Sequence, residues 1–153
     1  MNRFRDTARF ILLSPEIICA LLPFVVYTYM PALADVLIKQ MKDGLGFGLG
    51  GVAIPLGMLA FNYKEGLDML APTGGRKVLL DWPDYPKLKA RVVASFVWCV
   101  LGSVSALVAV LMVATDLLPR LAIAILVAGI LASAAATATM GLARFAIREI
   151  IGE

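Results

Sequence analysis

Apolar residues run almost unbroken over 15–37, 44–61, 92–115 and 121–143, and charged residues fall mainly between these stretches. Each stretch reaches or approaches the roughly 20 residues a helix needs to cross the hydrocarbon core of a bilayer. The pattern predicts an all-α polytopic membrane protein with four transmembrane helices over those ranges. One polar segment, residues 62–91, separates the second span from the third, and a short polar tail, 144–153, follows the fourth.

Residues 1–13 precede the first span. Phe4, Ala8, Ile11 and Leu12 share one helical face while Arg5, Asp6 and Arg9 lie mainly on the other. That spacing predicts a short amphipathic helix in the headgroup layer. Ser14, Pro15 and Glu16 then read as a helix start: Ser14 as N-cap, Pro15 at the first helical position, Glu16 against the positive end of the dipole. An acidic residue at the head of a span also invites comparison with proton-coupled transporters. Capping accounts for the carboxylate without transport, and is the expectation.

Pro23 removes one backbone hydrogen bond of the first span, and Pro31 ends or bends it, leaving a kinked and a broken helix both open. Tyr27 and Tyr29 suit its far boundary. The basic start, the apolar run and Ala32-Leu33-Ala34 resemble a cleavable signal peptide. The Ser-Pro-Glu interruption and the length of the apolar region argue instead for a retained span. Residues 34–43 read as a short polar connection.

The spans are rich in small residues at four-residue spacing. Gly44 pairs with Gly48 and Gly46 with Gly50 in the second, Gly102 with Ala106 in the third, and Ala124, Ala128, Ala132 and Ala136 form a ladder in the fourth. Such positions let helices approach closely, within one chain or between copies. The Gly44–Gly51 run lacks the preceding strand a dinucleotide-binding turn requires. Residues 116–120 are short enough only for a tight turn between antiparallel helices.

Orientation follows from counting Lys and Arg. With the N-terminus inside, eleven of the fourteen lie on the cytoplasmic side and three (Lys39, Lys42, Arg120) outside. The positive-inside rule places both termini and the long loop in the cytoplasm, and the small size and sparse external loops suit a bacterial inner membrane.

Composition narrows the chemistry. The chain is 61% hydrophobic and 16% charged, against about 45–50% and 25% for soluble domains. It contains no histidine, which excludes histidine catalysis, histidine switches and histidine metal sites. Cys19 and Cys99 sit inside apolar runs without metal or redox spacing. The net charge of +3 collects at span ends, so nucleic-acid binding is not expected. Glu65, Asp68, Asp81 and Asp84 have no histidine or cysteine partner, and read as a solvated loop face rather than a carboxylate metal site.

No enzyme, cofactor or metal is expected. Two functions remain. The first is a small, homo-oligomeric membrane subunit whose loop presents Arg76, Lys77, Trp82, Tyr85, Lys87, Lys89 and Arg91 to lipid phosphates and a soluble cytoplasmic protein, as anchor, scaffold or sensor. The second is a pore-forming effector in which copies pack through small-residue faces around a path lined by Ser105, Ser133 and Thr137.

Overall fold

The structure is a computed structural model that describes residues 14–43, 45–70 and 83–151. These form five helices: α1 (Pro15–Tyr29), α2 (Pro31–Asp43), α3 (Leu45–Leu70), α4 (Tyr85–Ala114) and α5 (Pro119–Ile151). No strand occurs among the described residues. The proposed headgroup helix, Gly44, Arg76, Lys77 and Trp82 lie outside them.

The α4–α5 hairpin is the centre on which the rest packs. Ser95 lies opposite Thr139, Cys99 opposite Ser133 and Gly102 opposite Gly129, so the two helices are antiparallel. Their closest approach is at the glycines. A Cβ on Gly102 would stand 2.5 Å from the Gly129 carbonyl oxygen, and one on Gly129 would stand 2.7 Å from that of Gly102. Only residues without side chains permit this crossing. The connecting turn holds Asp116 and Leu118 at φ 56° and 46°, left-handed conformations that a non-glycine residue adopts only under constraint.

α1 runs antiparallel to α5, with Glu16 beside Thr139 and Val26 beside Val127. α3 runs parallel to α5: Gly51 approaches Leu126, Asn62 reaches Thr137 and Glu65 meets Arg144. The end of the bundle where α3 stops and α4 begins is called here the loop end; the α4–α5 turn marks the other. An apolar cluster fills the turn end around Met41, Ala106, Ala109, Val113, Ile123 and Leu126. A second, comprising Met69, Leu88, Val92, Met140 and Ile147, lies at the loop end.

Among the described residues two helices are long and apolar enough to cross a membrane, α4 and α5 as far as Phe145, and three are if the bent pair α1–α2 counts as one span. This is consistent with an integral membrane protein and supports the four-span expectation in part. The first apolar run is broken rather than kinked. α1 continues through Pro23 but stops at Tyr29, and α2 leaves at 104°. Pro31 lacks the N–H an unbroken helix would use, and its ring disfavours the helical conformation at Met30. Residues 34–43, read as a connection, are helical and belong to α2. α3 runs on past Phe61 to Leu70, so the long polar segment is helical at both ends.

Candidate functional site at the loop end

Glu16 is 1% exposed, in the first turn of α1. The helix start is placed as the sequence reads, with Ser14 at the N-cap, Pro15 opening α1 and Glu16 in the first turn, but the Glu16 side chain bonds to no backbone N–H of α1. Ser14 makes no side-chain cap bond either, and its hydroxyl donates to Glu16 Oε2. The other carboxylate oxygen accepts from Thr139 Oγ1 at 2.9 Å and from Arg91 Nη2 at 3.4 Å. Thr139 Oγ1 is also 2.9 Å from the Ala136 carbonyl, so its proton is shared, and Ser95 Oγ lies 3.5 Å away. The first helix is therefore tied to α4 and α5 by charge and hydroxyls, where sequence reading expected a local cap. A buried carboxylate needs such partners, because an unpaired one would ionise at a cost of several kcal/mol or more.

A second polar group lies one layer further in. Asn62 is 1% exposed, and its Nδ2 donates to Cys99 Sγ at 2.8 Å and Thr137 Oγ1 at 3.0 Å. Thr137 in turn donates to the Ser133 carbonyl at 2.8 Å, and Ser103 to that of Cys99 at 2.8 Å. Asn62 Oδ1, Ser133 Oγ and Trp98 Nε1 are buried with no partner among the described residues. Glu65, expected on a solvated loop face, is buried and pairs with Arg144. Asn62 and Glu65 were placed in the loop because the sequence turns polar there. Their side chains point back into the bundle.

The residues expected to bind a partner divide in two. Arg91 is half-buried and turned inward to Glu16, and Tyr85 Oη reaches the Leu70 carbonyl at 3.5 Å. Lys87 and Lys89 are exposed, Lys87 with Asp84 at 2.6 Å. Asp84 occupies the N-cap position of α4 without a side-chain cap bond.

The small-residue positions are used mainly inside the chain. Gly102, Ala106, Ala124, Ala128, Ala132 and Ala136 are buried, and Gly48 faces Val110. Gly50 is open, with nothing within 4 Å of where a Cβ would stand. It lines a shallow groove with Ala53, Ile54, Gly57, Met58 and Thr137. Of the hydroxyls expected along a pore, Ser133 is fully buried at the Gly102 crossing, Ser105 is half-buried beside Gly129, and Thr137 is engaged with Asn62. No cluster of three or more acidic, cysteine or histidine side chains able to hold a metal occurs among the described residues.

No family model, curated protein or solved structure matches this chain.

Proposed function

We propose that this protein is a non-enzymatic membrane subunit that presents the segment between α3 and α4 to a soluble cytoplasmic protein. The reading rests on the way that segment is anchored. Tyr85 at the start of α4 bonds to the last residue of α3, Leu70, above the apolar cluster of Met69, Leu88, Met140 and Ile147. The end of α3 and the start of α4 thus lie side by side on a packed base. Arg76, Lys77 and Trp82 lie on that segment, with exposed Lys87 and Lys89 at its foot.

The charged groups within the bundle favour scaffolding over chemistry. Glu16 and Arg91, and Glu65 and Arg144, neutralise each other and join different helices. In this reading α3 and the α1–α2 pair are the first two of four spans, both termini are cytoplasmic by the positive-inside rule, and the membrane is a bacterial inner membrane. Copies associate along the open face of α3 at Gly50 and Gly57.

A pore has less to support it. Among the described residues the polar groups inside the bundle end with Ser103 and Ser105 at the Gly102–Gly129 crossing, and beyond it Met41, Ala109, Val113 and Leu126 fill the interior. A conducting path would have to run between copies.

Charge reversal at Arg76, Lys77, Lys87 and Lys89 together tests the docking role. Partner recovery should be lost while membrane insertion is retained. Recovery of the same soluble protein by the reversed variant would refute it.

A further inference from the structure

Charge clasps the bundle at both ends, and the two clasps differ in kind. At the loop end the carboxylates of Glu16 and Glu65 are buried. At the turn end Arg120 Nε and Nη2 donate to the two oxygens of Asp35 at 2.7 and 2.8 Å, and Lys42 pairs with Asp116. These four side chains are 45–72% exposed. Exposed pairs are weak and screened by salt, whereas a pair buried away from water is screened much less.

The outer pairs join α2 to the α4–α5 turn through Asp116 and to the first turn of α5 through Arg120. Asp35 and Lys42 stand seven residues apart, two turns along one face of α2, and Asp116 and Arg120 stand four apart beside it. The signs alternate on each side, so a single placement of α2 satisfies both pairs. Its apolar anchorage is one-sided: Met41 belongs to the turn-end cluster, with Leu37 and Ile38 packed against it. Ala34 and Met41 are its buried side chains and Leu37 and Ile38 are half-buried, while most of the others face outward. Between it, α1 and α5 lies an apolar cleft of about 90 Å³, lined by Leu22 and Val26 of α1, Leu33 and Leu37 of α2, and Ile123 and Val127 of α5. The turn that receives Lys42 is the one held in left-handed conformations at Asp116 and Leu118.

The geometry points to α2 as a charge-latched strap over this cleft, one that lifts at the Met30–Pro31 elbow while the buried clasp keeps the loop end closed. Tethered by α1 and α3, it rises from α5 without swinging free. The turn end is then where the bundle opens to the membrane or the medium.

The test uses the full chain with Ala34→Cys and Cys19→Ser in lipid nanodiscs, labelled with a water-soluble maleimide. Ala34 is 5% exposed, so labelling reports lifting. Raising KCl from a low concentration to about 1 M shortens the screening length to roughly 3 Å. It should accelerate labelling about 5- to 30-fold, the range expected when two weak pairs are lost. Lys42→Glu with Arg120→Glu should do the same at low salt, and the exchanged pair Asp35→Arg with Arg120→Asp should bring the rate back down. Labelling that is indifferent to salt and to both reversals would overturn the strap. So would simultaneous labelling of buried Cys99, which would mean that the whole bundle opens. The salt arm needs no charge substitution, so it decides the matter even where a reversal prevents folding.

Discussion

Thr139 Oγ1 donates to Glu16 Oε1 at 2.9 Å, joining the first described helix to the last across 123 positions of sequence. Arg91 reaches the same oxygen from α4 at 3.4 Å. Three helices thus meet on one carboxylate, and its burial determines what its loss should cost.

Arg91→Ala leaves that carboxylate buried and uncompensated. The expected destabilisation is about 3 kcal/mol, the lower part of the range for broken buried pairs, because Arg91 keeps 24% of its side chain exposed. Arg120→Ala removes an exposed partner and should cost no more than about 1 kcal/mol. Thermal denaturation in mild detergent checks both, and equal losses would contradict the difference in burial.

The helix crossing gives a sharper contrast. Gly102→Ala forces a methyl against the Gly129 backbone carbonyl, which cannot move aside as a flexible side chain can. A loss of about 1–3 kcal/mol is expected, as for other overpacked interiors. Gly57→Ala, where a Cβ meets nothing, should be neutral or stabilising by up to about 1 kcal/mol through helix propensity. Any harm from Gly57→Ala would be confined to the mass of the assembled complex, read by native mass measurement.

Asn62 reverses the usual expectation for a buried polar side chain. Its Oδ1 has no partner among the described residues, so Asn62→Leu removes an unsatisfied acceptor together with two donated bonds. The net effect should stay within about 1 kcal/mol. Thr137→Val keeps the amide and deprives it of one acceptor, and should cost more, about 1–3 kcal/mol. Parallel melts of the two variants reveal the order.

Cysteine reactivity offers an independent check on packing. Cys19 is half-exposed on α1 and Cys99 is buried beside Asn62. A membrane-permeant maleimide should modify Cys19 in the native protein, and Cys99 only after denaturation. Early modification of Cys99 would mean that the loop-end interior is open.

The helical class and the two longest apolar helices were legible in the sequence because apolar run length reports directly on a membrane environment. The break after Tyr29 was legible as a possibility, since Pro31 is incompatible with an unbroken helix but does not set the angle. That α2 would continue as a helix beyond Leu37 was not legible. Its charges, Asp35 and Lys42, look like loop polarity until Arg120 and Asp116 are seen opposite them. Glu16 misled in the same way: Ser-Pro-Glu satisfies the grammar of a helix start, yet the carboxylate bonds to residues 75 and 123 positions away. Local pattern identifies the elements, and long-range pairing decides which polar residues turn inward. The spacing of three between Asn62 and Glu65 on a helix continuing from an apolar run was the available hint, because it places both on one face.

The most direct measurement is the intact mass of the complex released from native membranes in nanodiscs, with identification of whatever accompanies the chain. A docking subunit predicts a soluble protein at fixed stoichiometry, lost on charge reversal at Arg76, Lys77, Lys87 and Lys89. A closed homo-oligomer with no soluble companion, unchanged by the reversal, would contradict that role.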